Sequence, residues 1–270
     1  MYEQFYGLAA SPFSITPDPR FLFFSRRHRE AFEHMLFGIT ERKGFIQITG
    51  EVGAGKSTLC RAILEQLGDG YATAVILNPV MTGTQLLRAI LGELGLPEAG
   101  NDRVRLLQRL NAFLLERAAA NEDVVLFVDE AQDLSDPLIE EVRLLSNLET
   151  DDRKLLQIVL IGQPELRMRL RQPRFRQLCQ RITVRYHLGP IDREETEAYV
   201  LHRLEVAGAN GRPTFTPAAL RSVHRYARGV PRLINAVCDK ALLAGYVEGR
   251  DEIGWRQVRR AVRDLDGKEP

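Results

Sequence analysis

The stretch "GEVGAGKST", residues 50–58, gathers three glycines, a lysine and two hydroxyl residues into nine positions. Lysine is scarce in this chain, at positions 43, 56, 154, 240 and 268, while arginine supplies the rest of the 37 basic residues. A lysine kept among glycines asks for a chemical reason. Residues 50–57 match the spacing G-x-x-x-x-G-K-[ST], and phosphate oxygens explain each position. Gly50, Gly53 and Gly55 let the backbone through Glu51, Val52 and Ala54 turn its N–H groups inward as a nest for anions. The helix that follows points its positive end at the same place. Lys56 then reaches the β- and γ-phosphates of a nucleotide, Ser57 offers its hydroxyl to Mg²⁺, and Thr58 completes the run.

A nucleotide site of this kind requires a second, acidic motif. "VVLFVDEAQ" (124–132) supplies it, with an apolar run leading into Asp129 and Glu130. Open α/β sheets bind ligands at the carboxyl ends of their strands, where this pair falls. Asp129 is placed to hold Mg²⁺, and Glu130 to orient and polarise an attacking water.

Both motifs need a scaffold of strands with helices between them. Buried-strand patterns occur at 45–49, 73–79, 124–130, 155–162 and 182–188. Helical spacing covers 27–42, 56–67, 84–94, 103–120 and 137–147. Nearly continuous apolar strands alternating with amphipathic helices predict a parallel sheet covered on both faces. Near residue 190 the pattern changes to helices alone, at 192–207, 216–227, 230–246 and 254–265. Asp192 and Thr216 read as amino-terminal caps, and Pro217 suits a first helical turn. The expected division is a nucleotide-binding core over 1–190 with an ordered, proline- and aromatic-rich amino-terminal arm, then a helical lid over 191–270. The tail "DGKEP" reads as frayed.

Composition narrows the function classes. The chain has 270 residues, 44% of them hydrophobic and 27% charged, with a net charge of +1. These values fit a globular protein, and such a charge creates no global field toward nucleic acid or acidic membranes. Cys60, Cys179 and Cys238 lie far apart and read as reduced core residues. No segment reads as a signal peptide or a membrane span, so the expectation is a cytoplasmic protein.

"PFSITPDPRFLF", "GEVGAGKST", "FVDEAQDL", "IVLIGQPEL" and "GVPRLIN" together resemble the ExeA/GspA family of AAA-type ATPases, from about residue 2 to 265. Its members include general secretion pathway proteins A and pilus-biogenesis ATPases of the MshM type. The resemblance implies an α/β AAA-type P-loop fold with a five-stranded parallel sheet and a small all-helical lid. It also implies Mg²⁺-dependent ATP hydrolysis in a ring or dimer with ATP at subunit interfaces. A partner in inner-membrane or envelope assembly, of the secretion or pilus type, is implied too. Longer members carry a membrane span and a cell-wall-binding domain, which this chain is expected to lack, as a short member or an ATPase domain alone. Attachment at the inner face of the inner membrane then runs through a partner or a further carboxyl-terminal segment.

The same resemblance gives roles to single residues. Gln163 matches a polar sensor of the γ-phosphate, with a plain loop glutamine as the alternative. Arg232 in "GVPR" matches the sensor arginine that reaches ATP from the lid. Pro12, Phe13 and His28 border the adenine, or else belong to the core. Seven arginines crowd residues 167–185. Arg181, just before the fifth strand, resembles the finger arginine that acts on a neighbouring subunit's ATP, with Arg176 in reserve. The other arginines read as a solvated basic face, with Asp133, Asp136, Glu140, Glu141, Asp151 and Asp152 as acidic partners on an adjoining subunit. The alternative function is a DNA-associated ATPase of the transposition-regulator (TniB/TnsC) type, in which that basic face meets duplex. A nucleotide-gated switch with little turnover is a third reading, opposed by Glu130. The remaining histidines have no metal-ligand spacing, and Trp255 is expected to anchor the lid core.

Overall fold

Five strands form a single parallel sheet: β1 (Phe45–Gly50), β2 (Tyr71–Ile76), β3 (Asp123–Val128), β4 (Leu156–Gly162) and β5 (Ile182–Leu188). Their order is β2-β3-β4-β1-β5. The computed structural model describes residues 1–14, 18–96, 100–151 and 153–267. β1 and β4 are buried along their whole length, which is why both read as mostly apolar runs, broken only by the buried Gln47, Thr49 and Gln157. Pairing is in register, Phe45 with Ile158 and Val124 with Leu156, so β1, β3 and β4 all end at one edge of the sheet.

Helices in chain order are α1 (Tyr2–Tyr6), α2 (Arg26–Thr40), α3 (Lys56–Leu67), α4 (Gly83–Glu93), α5 (Arg103–Ala119), α6 (Asp136–Leu145), α7 (Pro164–Leu170) and α8 (Arg176–Arg181). Then come α9 (Arg193–Val206), α10 (Pro217–Ala227), α11 (Pro231–Val247) and α12 (Trp255–Leu265). The region beyond 190 is helical, as expected, except for a parallel pair of two-residue strands, β6 (Thr214–Phe215) and β7 (Glu252–Ile253). Such short strands carry no periodicity, so sequence pattern could not show them.

Two hydrophobic cores result. One joins the sheet to α4, α5 and α6 through Leu86, Leu110, Leu126, Leu138 and Ile158, all fully or almost fully buried. The other joins the last four helices to the amino-terminal arm through Tyr6, Phe13, Val223, Ile234 and Val258. Residues 1–28, 51–58 and 189–270 make up one compact unit, and residues 29–50 and 59–188 the other. In the first unit the arm is fixed by polar anchors as well as burial. Tyr2 donates its hydroxyl to Asp239 at 2.5 Å, and the buried Arg203 guanidinium donates to the carbonyl of Pro12.

Trp255 departs from expectation. It is 47% exposed, with Arg256 and Arg259 over its ring at 5.9 and 6.0 Å, because helical spacing turns Val258 and Ala261 inward instead. The expected frayed tail, from Lys268 onward, lies outside the described residues.

Both caps read from sequence are present. Asp192 accepts from the Glu195 amide at 2.8 Å while Glu195 accepts from the Asp192 amide at 3.1 Å, a reciprocal capping box at the start of α9. Thr216 accepts from the Ala219 amide at the start of α10. Asp192→Ala removes one side of the box and is expected to cost about 1 kcal/mol of stability. Chaotrope unfolding measures this, and a variant as stable as the parent shows that the box carries no weight.

Candidate functional site: a phosphate loop and an acidic strand end

The loop from Glu51 to Thr58 belongs to the helical unit, and two pins hold it there. The Arg232 amide, in the first turn of α11, donates to the carbonyl of Gly53 at 3.2 Å. On the other side the His28 imidazole bonds the carbonyl of Ala54 at 2.9 Å. A carbonyl only accepts, so His28 Nε2 carries the proton and Nδ1 accepts from the Ser25 hydroxyl at 2.7 Å. Ser25 Oγ in turn accepts from the His28 amide, which closes the network.

These pins explain the glycines. Gly53 and Gly55 have φ of 78° and 96°, the left-handed region that side chains avoid. A Cβ at Gly53 would lie 2.3 Å from Cβ of Arg232, and one at Gly55 2.7 Å from His28 Nε2. Backbone that close to its supports leaves no room for side chains, as a nest for phosphate requires. Lys56 is buried, and its ammonium donates to the Glu51 carbonyl at 3.1 Å, within the loop it would serve. Ser57 is half-buried at the second position of α3.

Arg232 is exposed at the start of α11. Its position is set by "GVP", in which the Gly229 carbonyl accepts from the Ile191 amide at 2.9 Å and Pro231 opens the helix. Phe13 is buried edge-on against Phe215 at 6.2 Å, and His28 spends both ring nitrogens on Ser25 and Ala54. Sequence reading did not foresee His28 as a loop support, since only the fold brings it to Ala54.

The acidic half lies in the sheet unit. Asp129 is buried, and its amide continues the β2–β3 pairing by donating to Ile76 at 2.8 Å. Glu130 follows in a left-handed turn, φ 48° and ψ 38°, and its amide donates to Asp129 Oδ1 at 2.9 Å. That turn ends β3 two residues before the apolar-acidic run does and aims the Glu130 carboxylate away from the strand. Two glutamines then hold one of its oxygens. Gln132 Nε2 donates to Glu130 Oε2 at 2.7 Å and Gln163 Nε2 at 3.3 Å. Gln132 also accepts from the Gln163 amide at 2.9 Å, tying the ends of β3 and β4 together.

Gln163 therefore sits beside Glu130. Gln132 was missed. Its signal was available in "DEAQ", since a short amide side chain two residues after a carboxylate in a tight turn can fold back on it. Hard oxygen donors such as the Asp129 carboxylate and the Ser57 hydroxyl suit Mg²⁺, which is commonly held by one or two protein oxygens plus phosphate. The chemistry of the residues present thus fits the ion.

The arginine-rich segment divides on inspection. Arg169 and Arg174 pair with Asp136 of their own chain. Glu140 pairs with Arg143, and Glu141 with Arg103. Three of the acids expected to meet an adjoining subunit are thus already engaged inside the chain, a correction to that reading. Asp152 lies outside the described residues. Arg181 Nη1 donates to Ser146 Oγ at 2.7 Å, whereas Arg176 is exposed.

Burial holds the His28 pKa below its ordinary value, with the bond to Ala54 working against that shift. Between the folded and unfolded pKa values the unfolded chain binds more protons, so stability rises with pH there. The contribution is complete above about pH 6.5 and is lost as pH falls through the folded-state value. His28→Gln is expected to flatten the dependence of chaotrope stability on pH between about 7 and 5 relative to the parent. Parallel profiles in the two proteins exclude this role.

Residues 39–170 match the AAA domain family. The chain is 48% identical over 268 residues to general secretion pathway protein A of Aeromonas hydrophila. That match covers 99% of this chain and 49% of the relative, so the chain spans about half the relative's length. Among solved structures, the ORC2 protein of Aeropyrum pernix superposes with a TM-score of 0.67 at 20% identity, over 94% of this chain and 71% of the other. Cdc6p of Pyrobaculum aerophilum gives 0.72 at 18% identity, over 94% and 70%. The RuvB branch migration motor of Thermotoga maritima gives 0.59 at 18%, over 88% and 69%. These likenesses show the fold. With the phosphate loop and the acidic strand end, these likenesses give the chain the AAA-type P-loop fold, and its sequence is similar to that of general secretion pathway protein A of Aeromonas hydrophila.

Proposed function

We propose that this chain binds ATP with Mg²⁺, hydrolyses it, and uses the cycle as an oligomer to assemble or drive cell-envelope machinery of the secretion or pilus type. The observation that carries the reading is the 48% identity to general secretion pathway protein A across 99% of the chain. The match takes in 268 of the 270 residues, so the phosphate loop, the acidic pair and the "GVPR" start of α11 fall within it. A place at the cytoplasmic face of the inner membrane, reached through a partner, belongs to the same proposal. Among the described residues, no helix is long and apolar enough to cross a membrane.

Each residue has a defined task. The amides of Gly50 to Thr58 and the Lys56 ammonium bind the phosphates. Ser57 and Asp129 would hold Mg²⁺, which supplies charge neutralisation at the β- and γ-phosphate oxygens. Glu130 orients and polarises the attacking water, and the amides of Gln132 and Gln163 keep its carboxylate aimed. Arg232 adds a planar fork for the γ-phosphate from the lid. Pro12, Phe13 and His28 flank the adenine side, His28 by supporting the loop. An arginine from a second copy, Arg181 or Arg176, stabilises charge on the transferring phosphoryl group.

Lys56→Ala is expected to abolish ATP binding in a calorimetric titration, since it removes the one charge inside the nest. Glu130→Gln is expected to bind ATP but turn over at least ~10²-fold more slowly, the scale for loss of a general base. Gln132→Ala keeps the carboxylate, loses one of its two clamps, and is expected to slow turnover without weakening binding. Normal ATP affinity in Lys56→Ala, or parental turnover in Glu130→Gln, rejects the assignment.

The finger acts in trans, so mixtures reveal it. Arg181→Ala is expected to bind ATP and hydrolyse it slowly. Adding Lys56→Ala protein, which presents Arg181 but holds no ATP, is expected to restore activity that rises with protein concentration. Loss in Arg176→Ala instead transfers the role to that residue. If neither variant loses activity and the ATP-bound protein is monomeric by mass, hydrolysis does not use a neighbour.

A further inference from the structure

The β1–β5 edge of the sheet carries a polar face that nucleotide hydrolysis does not use. Gln47 and Thr49 of β1 lie opposite Arg185 and His187 of β5. Gln47 is 4% exposed, and its Nε2 has no hydrogen-bond partner. An unpaired amide at such depth is costly, and a leucine would fill the same volume without that cost. A donor kept there points to an acceptor that the chain itself does not supply.

A pocket of about 380 Å³ opens over this face. That size lies within the range of roughly 300–1,000 Å³ typical of small-molecule sites. Its far wall comes from α7 and the residue that follows it, through Arg167 and Arg171, and from α8, through Cys179. No aspartate or glutamate is among the lining residues. Arg185 gives one N–H to the Cys179 carbonyl. Arg167 and Arg171 are exposed and pair with no described residue. Their neighbours Arg169 and Arg174 both bond Asp136, whereas the pocket-lining Arg167 and Arg171 meet no such carboxylate among the described residues. Thr49 Oγ1 and His187 Nδ1, 3.1 Å apart, add polar groups at the floor.

We propose that this pocket binds a small molecule bearing a phosphate or pyrophosphate group, with Arg167, Arg171 and Arg185 neutralising its charge and Gln47 Nε2 donating to one of its oxygens. Guanidinium groups address two oxygens at once, which suits three of them converging on one dianion. The site is distinct from the phosphate loop and does not depend on the ATPase reading.

Cys179 makes the pocket directly readable. It is half-buried and lines the pocket, whereas Cys60 and Cys238 are buried, and burial pushes the Cys60 thiol up to about 12 and raises that of Cys238 as well. Alkylation of the native chain by iodoacetamide, followed at the Cys179 peptide by mass spectrometry, therefore reports occupancy. Inorganic pyrophosphate is expected to slow that alkylation about tenfold at ten times its Kd. Sodium chloride of equal ionic strength is expected not to do so. The same protection is expected in Lys56→Ala, where the phosphate loop is disabled. It is expected to disappear in the exposed double variant R167A/R171A and to need more pyrophosphate in Gln47→Leu. Absence of protection in the parent, or undiminished protection in R167A/R171A or in Gln47→Leu, overturns the proposal.

Discussion

Inside the phosphate loop the Glu51 carbonyl takes the Ala54 amide and the Lys56 ammonium, and two carbonyls that follow it are held from outside the loop. Here the carbonyls of Gly53 and Ala54 are taken by the Arg232 amide and the His28 imidazole. Much follows from those two bonds. They require glycine at 53 and 55, because the supports stand where side chains would be. They require α11 to begin where it does, which "GVPR" and the Ile191–Gly229 bond secure. They require a proton on His28 Nε2, and in the neutral ring that burial favours, Nδ1 is left to accept from Ser25.

The acidic half follows a different principle. There the backbone delivers the carboxylate and side-chain amides tune it. Gln132 and Gln163 bond the same Glu130 oxygen, which leaves the other one without an amide clamp. An amide can donate to a carboxylate without bringing a charge. Arginines at these two positions would neutralise the carboxylate that the proposed function assigns to polarising water. The nearby guanidinium of Arg169 is instead occupied by Asp136 and the Gln132 carbonyl.

The sheet was legible because β1, β3 and β4 are buried on both faces and β5 alternates buried with exposed residues. All five start within about two residues of their expected positions, and β2, expected at 73–79, ends early for a plain reason. Leu77, apolar in the pattern, is 68% exposed beside Asn78 and Pro79. Motifs with fixed spacing were equally legible, since chemistry demands those residue types at those intervals. Contacts that join distant residues were not. Neither His28 on Ala54 nor Gln163 on Glu130 has a local signature, and Trp255 misled because a large aromatic residue says nothing about which way its helix faces. The contact units show the same limit. A boundary near 190 is what composition marks, yet residues 51–58 share their unit with segments at both ends of the chain.

Glu130 occupies a backbone conformation that costs a residue other than glycine or asparagine on the order of 1 kcal/mol. The protein keeps a glutamate there all the same. Natural variation and laboratory selection for heat resistance will both press against that choice, because Glu130→Gly relaxes the turn while leaving Asp129 and the surrounding strands in place. A search guided by melting temperature alone would thus favour a sturdier protein without the carboxylate to which the proposed function assigns the water. At this position, robustness and turnover are opposed by a single dihedral angle.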